Sequence, residues 1–232
     1  MSEQTVLARV ESISPLTDSI LRLVLVPADF VPYYAGQYLQ ILFGEEPLLY
    51  SIANAPLGSR KYELHLRHSP NNPGNCALLA HIRERGEVVL RLPFGDCHLE
   101  RLDAHRPLLL IAGGTGFAPV HAMLEELLAR ADTRPFELYW GARSESDLYF
   151  SEKVTNWQRH ATHFKHASCL ADASRHALIK ALLTRHAHDL SEWQAVIAGP
   201  FDMVFALRDA LVQAGMSRTH LHSDAFAFEE RQ

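Results

Sequence analysis

Short alternating runs of apolar and polar positions fill the chain from residue 5 to residue 92. In the segment 61–67, Tyr62, Leu64 and Leu66 fall on one face, and polar or charged side chains fall on the other. A period of two is typical of a half-buried β-strand. The pattern predicts six strands, at 6–10, 20–26, 37–43, 49–53, 61–67 and 88–92, and one short helix over 76–83. Glycine and proline turn signals between these strands favour an antiparallel β-barrel or sandwich.

The periodicity changes after the charged stretch 100–107, which is typical of a linker. Continuous apolar runs predict buried strands at 108–112, 136–140, 164–169 and 195–198. Apolar residues at helical spacing predict helices between and after them, the first with Val120, Leu124, Leu127 and Leu128 on one stripe and the others over 152–158, 176–185 and 201–214. This alternation predicts a doubly wound α/β domain with a parallel sheet, whose ligands bind at the carboxyl ends of its strands. We therefore expect two domains, residues 1–102 and residues 103–232.

Composition excludes several function classes. Hydrophobic residues make up 47% of the chain and charged residues 21%, the balance of an ordinary globular protein. A net charge of -5 provides no basic surface for nucleic acid or for an anionic membrane. No apolar run approaches the length of a membrane span, and the first residues lack the features of a signal peptide. We expect a cytoplasmic protein that binds neither nucleic acid nor membrane.

The cysteines and histidines predict no metal site. Three cysteines, odd in number and far apart, argue against a disulfide framework, a Cys-x-x-Cys zinc site and a four-thiolate iron–sulfur cluster. Of the 14 histidines, His160, His163 and His166 fall close together, but no His-Glu-x-x-His helix or comparable ligand set occurs. We expect the histidines to be scattered over the surface.

A glycine-rich turn follows the first predicted strand of the second domain. Gly113, Gly114 and Gly116 lack the Cβ atoms that would keep a diphosphate away from the backbone, and Pro119 has a fixed φ that suits a first helical turn. A helix that starts here offers free N–H groups and a positive dipole end to an anion. The segment predicts a nucleotide-phosphate site, with a tight turn that binds no ligand as the alternative.

Two better-known phosphate loops do not fit this segment. A triphosphate loop needs Gly-Lys followed by Ser or Thr, whereas Phe117 and Ala118 follow the last glycine here. The dinucleotide fingerprint needs Gly or Ala where Pro119 stands, and an acidic residue after the next strand, where this chain has Trp140-Gly-Ala-Arg143. Without that acid, the usual basis for discriminating against a ribose 2′-phosphate is lost.

The order of seven motifs across the two predicted domains resembles the ferredoxin-NADP reductase superfamily. The motifs are Ala35-Gly-Gln-Tyr38, Leu49-Tyr-Ser51, Gly86-Glu-Val-Val-Leu-Arg-Leu-Pro-Phe-Gly95, Gly113-Gly-Thr-Gly-Phe-Ala-Pro119, Trp140-Gly-Ala-Arg143, Asp147-Leu-Tyr-Phe150 and Ala198-Gly-Pro-Phe-Asp-Met203. The sequence is most similar to the small bacterial NAD(P)H:flavin oxidoreductases in two respects. It has no iron–sulfur domain, and it contains the ending Ser223-Asp-Ala-Phe-Ala-Phe228. The resemblance implies a flavin-binding barrel at 1–102 and an NAD(P)-binding α/β domain at 103–232.

The resemblance implies a flavin site on the barrel. The family motif Arg-x-aromatic-Ser places Tyr50 against the flavin ring and Ser51 at flavin N5, the atom that accepts hydride. An aromatic face packs on a flat ring, and a hydroxyl can donate or accept as N5 changes its protonation state. Outside the family frame, a core tyrosine and a turn serine would be the better interpretation. The other implied flavin-binding positions are Gln37, Tyr38, Leu49, Gly74, Asn75 and Cys76.

Two departures from the family pattern weaken the implied hold on the flavin phosphates. Leu48 stands where the motif has an arginine that pairs with the pyrophosphate, and Ala77 stands where Gly-x-x-Ser or Thr would supply a hydroxyl. Losing both contacts removes roughly 2 to 4 kcal/mol of FAD affinity. We expect FMN, riboflavin and FAD to bind loosely, as substrates that enter and leave.

The resemblance also implies a site for NADH or NADPH. Gly113 to Gly116 would hold the diphosphate, with Thr115 on the nicotinamide side, and Arg143 would favour a 2′-phosphate or else form a surface ion pair. Ala198 replaces a cysteine of many family members, so no thiol takes part. The remaining implied contacts are Gly114, Pro119, Gly199, Pro200 and Phe201.

An acidic residue near the carboxyl terminus completes the implied site. Asp224 matches a family position near the flavin and Ser51, where it would supply a proton or hold the loop. We expect Phe226 and Phe228 to pack in the core, with a cover over the flavin as the alternative.

The combined hypothesis is an enzyme that transfers hydride from nicotinamide C4 to flavin N5 and releases reduced flavin to a monooxygenase or another acceptor. Two alternatives stay open. One is a reductase that retains FAD and passes electrons to a ferredoxin, flavodoxin or oxygenase component. The other is a non-catalytic nucleotide-binding regulatory or electron-relay subunit.

Overall fold

Two β-sheets, the first antiparallel and the second parallel, follow each other along the chain. The computed structural model describes residues 2–68, 72–170 and 174–231. Within these residues the predicted order of a barrel followed by an α/β unit is confirmed. No helix in the described part of the chain is long and apolar enough to span a membrane.

The first sheet is a nearly closed barrel with strand order β4-β3-β6-β1-β2-β5. Its edge strands β4 and β5 approach each other, so that the sheet curls around one apolar core. The strands are β1 (Gln4–Pro15), β2 (Ile20–Pro27), β3 (Tyr38–Ile41), β4 (Leu48–Ser51), β5 (Tyr62–Arg67) and β6 (Glu87–Phe94).

Helix α1 (Pro73–Arg85) packs against this core through Leu78, Leu79 and Ile82. It begins earlier than the predicted 76–83, because the side chain of Asn72 accepts a hydrogen bond from the Asn75 backbone N–H and Pro73 fits the first helical position. It ends where Gly86 adopts a left-handed conformation with φ of 70°.

The second sheet is parallel throughout, with strand order β11-β10-β7-β8-β9. Its central strand β7 (Leu108–Gly113) is buried on both faces: Leu108 and Leu110 pack in one apolar cluster, and Leu109 and Ile111 pack in the other. The other strands are β8 (Phe136–Ala142), β9 (Phe164–Leu170), β10 (Gln194–Ala198) and β11 (Leu221–His222). The helices are α2 (Phe117–Ala129), α3 (Ser151–His160), α4 (Ser174–His186) and α5 (Phe201–Gln213).

The predicted bounds of β1 were wrong, and β11 was not predicted. Strand β1 has 12 residues rather than the five of 6–10, and a register shift between Val10 and Ser12 interrupts its pairing with β2. That irregularity and the exposed positions along the strand hide its length from a period-two analysis. Strand β11 has two residues, too few for any periodic signal.

The polar face of β5 is buried, which the alternating pattern did not predict. Glu63 is 8% exposed and His65 is 5% exposed, although Tyr62, Leu64 and Leu66 fill the barrel core on the opposite face. The phenol oxygen of Tyr149, from the α/β unit, lies 3.0 Å from His65 Nδ1. The second unit therefore covers this face of the barrel.

Candidate functional site

A cavity of about 670 Å³ lies between the barrel and the carboxyl edge of the parallel sheet. Strands β4 and β5 form part of one wall, and the turns after β7 and β10 form the other. Carboxyl ends of parallel strands are the usual ligand edge of an α/β sheet. Thirteen of the predicted site residues line this cavity: Tyr38, Leu49, Tyr50, Ser51, Gly113, Gly114, Thr115, Gly116, Pro119, Gly199, Pro200, Phe201 and Asp224.

Strand pairing and a side-chain hydrogen bond position Ser51 and Tyr50 on the barrel wall. Ser51 pairs with Tyr38 across β4 and β3, and the Tyr50 hydroxyl donates to Asn75 Oδ1 at 2.5 Å. Asn75 Nδ2 in turn donates to the Arg67 carbonyl at 2.8 Å. Burial raises the pKa of Tyr50 to about 12, so the phenol keeps its proton.

Four predicted flavin contacts do not line this cavity. Gln37 is buried, and its amide is used within the barrel: Oε1 accepts from the Tyr34 N–H at 2.8 Å and Nε2 donates to the Gly95 carbonyl at 3.1 Å. Gly74, Asn75 and Cys76 lie in the first turn of α1, where Asn75 supports Tyr50 from behind. The sequence alone does not show whether Gly74, Asn75 and Cys76 lie on the cavity side of Tyr50 or on the opposite side.

Leu48 gives the region beside α1 an apolar surface. One of its methyl groups would lie 3.7 Å from a Cβ atom added to Gly74, and its side chain packs against the barrel core. An arginine at this position would bring a guanidinium to the start of α1. Leu48 therefore brings no charge to the start of α1.

Close packing within the protein requires a glycine at one position of the turn after β7, Gly116, where a Cβ atom would meet backbone atoms. A Cβ on Gly116 would lie 2.2 Å from the Ala198 carbonyl oxygen, and a Cβ on Gly113 would lie 2.4 Å from the Met203 sulfur. Gly114 alone has a positive φ in this turn, at 54°. All three glycines also line the cavity, and their predicted role at a diphosphate stays a prediction.

Two helix starts face the cavity side by side. A short 3₁₀ turn, Gly114–Gly116, runs directly into α2, and Pro200 caps α5 by accepting hydrogen bonds from the backbone of Met203 and Val204. Helix N-termini carry partial positive charge and unpaired N–H groups. Their convergence suits an anionic group such as a diphosphate.

A second cleft, of about 460 Å³, continues from the glycine-rich turn towards Arg143. Arg143 is exposed there, and Arg175 pairs with Asp202 at 3.2 Å on the same wall. Arg67, which the sequence analysis missed, lines both this cleft and the larger cavity. The signal for Arg67 was its place after Glu63 and His65 on the outer face of β5.

Asp224 lies where the cavity meets a third cleft, of about 780 Å³, along the carboxyl-terminal segment. Its Oδ1 accepts a hydrogen bond from the Cys97 backbone N–H at 3.3 Å, and a Cβ on Gly95 would lie 3.0 Å from each carboxylate oxygen. Burial raises the pKa of Asp224 to about 6, against smaller opposing effects of backbone hydrogen bonds.

The two terminal phenylalanines behave differently. Phe226 packs against the core of the α/β unit and lies under the Arg218 guanidinium, as predicted. Phe228 lines the cavity and stacks on Phe201 with ring centroids 5.7 Å apart, so its predicted core role is wrong. The chain end brings it to the cavity mouth, where Phe201 is also exposed.

A buried polar network joins the two units beside the cavity. His65, which lines the cavity, contacts Tyr149 and places Nε2 3.2 Å from Glu63, whose other oxygen accepts from Arg22. Burial opposes ionisation of Glu63, but hydrogen bonds from His65 and Arg22 lower its pKa to about 2. Burial lowers the pKa of His65, so its ring stays neutral.

The histidines are not all on the surface, which corrects the prediction. Four of them are buried with polar or aromatic neighbours, namely His65, His98, His121 and His186. Of the predicted surface cluster, His160 is exposed and His163 and His166 are half-buried. In the part of the chain that the structure describes, no group of three His, Cys, Asp or Glu side chains could hold a metal ion.

Comparison with protein families supports the nucleotide site. The family model for the oxidoreductase NAD-binding domain matches residues 110–209, from within β7 to within α5. This range contains the glycine-rich turn, Arg143 and Gly199–Phe201.

Relatives cover the barrel as well. An NAD(P)H-flavin reductase from Vibrio harveyi is 33% identical over 236 residues, which cover 97% of this chain and 99% of that protein. Reductase component 1 of terephthalate 1,2-dioxygenase from a Comamonas species is also 33% identical over 90% of this chain, which spans 64% of that protein. Among solved structures, an Amycolatopsis cytochrome P450 reductase has a TM-score of 0.82 at 25% identity, covering 96% of this chain and 69% of that one.

Proposed function

The chain belongs to the ferredoxin-NADP reductase superfamily, as an oxidoreductase related to the NAD(P)H-flavin reductases over nearly its whole length, and from this we propose that it reduces free flavin with NADH or NADPH. We assign flavin binding to residues 1–102 and nucleotide binding to residues 103–232. The V. harveyi relative supports the proposal that free flavin is the substrate, because it is named an NAD(P)H-flavin reductase and is 33% identical over 236 residues.

One observation carries the proposal: a single cavity has Tyr50 and Ser51 on its barrel wall and two converging helix starts on its opposite wall. A flat ring would pack on the barrel side, and a dinucleotide would place its diphosphate at the helix starts. The volume of about 670 Å³ is in the usual range for small-molecule sites. Both substrates would then meet within one cavity.

The reaction moves a hydride, which carries two electrons, from nicotinamide C4 to flavin N5, after which the reduced flavin gains one proton. The protein's contribution is positioning and the exclusion of water. Ser51 would hydrogen-bond to N5, and Tyr50 would hold the ring. Asp224 would supply the proton or fix the carboxyl-terminal segment; its pKa of about 6 leaves a protonated fraction near neutral pH.

The two substrates would be held with different strength. The glycine-rich turn, Pro119, Gly199, Pro200 and Phe201 would contact the nicotinamide nucleotide, and Arg67 and Arg143 would add positive charge along its phosphates. Leu48 and Ala77 provide no such charge or hydroxyl for a flavin diphosphate. Flavin would be held by its ring and side chain, and released after reduction.

A second candidate function is electron delivery to a separate oxidised protein. The Comamonas relative is, by its name, the reductase component of a dioxygenase. The cleft beside Asp224 and Phe228 adjoins the cavity and shares both residues with it. An acceptor that approached there would need a flavin that stays bound during transfer.

Anaerobic turnover tests the proposed function. Purified protein is mixed with NADPH or NADH and with riboflavin in large molar excess, and loss of the visible flavin absorbance is followed against a sample without protein. We expect many equivalents of riboflavin to be reduced per protein molecule. Reduction of one equivalent or less would contradict the proposal.

A further inference from the structure

Helix α2 connects the two walls of the cavity. Its first residue follows the glycine-rich turn, and His121 and Glu125, one turn apart, reach the barrel from the same face. His121 Nδ1 lies 2.6 Å from the Ala53 carbonyl oxygen, and Glu125 Oε2 accepts a hydrogen bond from the Ala55 N–H at 3.0 Å. The segment 53–55, which these two side chains contact, begins two residues after Ser51.

Lys153 of α3 closes these contacts into a ring. Its Nζ lies 3.0 Å from His121 Nε2 and donates to Glu125 Oε1 at 2.8 Å. A carbonyl only accepts, so His121 must donate through Nδ1 and accept from Lys153 through Nε2. Burial, with the neighbouring Lys153 ammonium, lowers the pKa of His121 and keeps the ring in this neutral form.

The backbone segment 52–55 is also hydrogen-bonded to the rest of the barrel. The Ile52 N–H donates to the Gln37 carbonyl at 3.0 Å, and the Ala53 N–H donates to the Glu63 carbonyl at 2.7 Å. Ala53 and Ala55 are buried, at 0% and 3% exposure. Two further groups of this segment, the Ala53 carbonyl and the Ala55 N–H, are bonded by His121 and Glu125 of α2. A shift of α2 would therefore be transmitted to the strand end that carries Ser51.

We propose that His121 and Glu125 are positioning residues, which fix the distance between the nicotinamide site at the start of α2 and the flavin site at Ser51. The inference rests on the proposed function for its kinetic consequence and on the ring of hydrogen bonds for its structural one. Neither residue lines the cavity. Hydride transfer depends steeply on donor–acceptor distance, and a displacement of about 1 Å can cost on the order of a hundredfold in rate.

Three variants and one control test whether the hydrogen bonds of His121 and Glu125 to Ala53 and Ala55 position the two sites. His121→Phe and Glu125→Met each remove one link, and His121→Gln keeps a donor for Ala53 and an acceptor for Lys153. Glu152→Met is the control, because Glu152 is exposed on α3 beside Lys153 and outside the ring. Amide hydrogen exchange at Ala55 in the ligand-free protein is measured beside kcat, both KM values and the melting temperature.

In Glu125→Met we expect faster exchange of the Ala55 amide, and in both disrupting variants a kcat lower by about tenfold to a hundredfold, with KM values changed less than about twofold. His121→Gln should recover most of the rate lost in His121→Phe, and Glu152→Met should match the wild type.

Unchanged kcat in His121→Phe and Glu125→Met, in proteins that remain folded, would overturn the inference. So would a loss of rate that follows melting temperature alone and is equal in His121→Phe and His121→Gln. If the wild type reduces no flavin, the proposed function fails. Amide exchange at Ala55 still reports whether the hydrogen bond between Ala55 and Glu125 exists.

Discussion

Ser51 and Tyr50 are small features of the sequence, and only their setting makes them chemical groups of interest. The structure places both on the wall of a cavity whose opposite wall comes from residues more than 60 positions away. Nothing in the local sequence around Leu49–Ser51 indicates that setting. The order of family motifs did, because it carries information on tertiary structure that periodicity lacks.

Ser51→Ala should lower kcat for flavin reduction about tenfold or more while changing flavin KM little, because a hydrogen bond to N5 strengthens as that atom gains hydride. Riboflavin is the acceptor for this measurement, since it has no phosphate whose binding could change. Ser12→Ala, at an exposed position of β1, is the matched control. A normal kcat in Ser51→Ala with a lower melting temperature would make Ser51 a local structural residue.

Asp224 gives a prediction in pH. Its pKa is raised from 3.8 to about 6 by burial, so the folded protein keeps this proton up to higher pH than the unfolded chain. The corresponding contribution to stability is complete below pH 3.8 and is lost as the pH rises through about 6. If Asp224 supplies the proton, kcat should fall as the pH rises through about 6, and Asp224→Asn should remove this limb. The same limb in Asp224→Asn would leave Asp224 as a loop anchor for Cys97.

At the scale of elements, strand and helix types followed from hydrophobic periodicity, while bounds and buried polar faces did not. The cap at Asn72 and the left-handed Gly86 set the ends of α1 more sharply than its apolar residues do. The alternating pattern of β5 predicts that its polar face is exposed to solvent. The sequence of one strand does not show that another unit covers this face. Glu63 and His65 are tolerated there since each has buried hydrogen-bond partners.

The glycine-rich turn predicts a stability effect. Gly116→Ala should destabilise the fold by about 1 to 3 kcal/mol, because its Cβ would meet the Ala198 carbonyl oxygen at 2.2 Å. Gly74→Ala is the matched control, since its Cβ would find no neighbour closer than 3.6 Å. Chemical denaturation measures both free energies of unfolding. Equal values would show that the turn has room at Gly116 and that packing does not select glycine there.

The turn after β8 predicts a cofactor effect. Arg143→Ala should raise KM for NADPH more than KM for NADH, because a lost guanidinium matters most where a 2′-phosphate is present. The side chain is exposed, so the difference should be modest, about 1 kcal/mol or fivefold. Arg159→Ala, exposed at the end of α3, serves as control. Equal changes for both nucleotides would make Arg143 structural.

At the scale of the whole molecule, the two units work as one because polar contacts cross between them. His65 meets Tyr149 across 84 positions of sequence, and Ala55 meets Glu125 across 70. Such pairs leave no local pattern in the sequence, so the contacts between the two units could not be predicted from it. The chain order of a barrel and an α/β unit could be, because each has its own period and its own core.

The central claim is that flavin is a substrate and not a resident group. It is tested by desalting the purified protein extensively, measuring its flavin content, and then following NADH and NADPH oxidation with and without added riboflavin, FMN or FAD. We expect little retained flavin, negligible oxidation without addition, and saturable oxidation with each of the three, because Leu48 and Ala77 leave a flavin diphosphate without its charged and hydroxyl partners. Two results together would contradict the proposal that flavin is a substrate: stoichiometric FAD after desalting, and electron transfer to an external acceptor without added flavin. They would favour a reductase that retains its flavin.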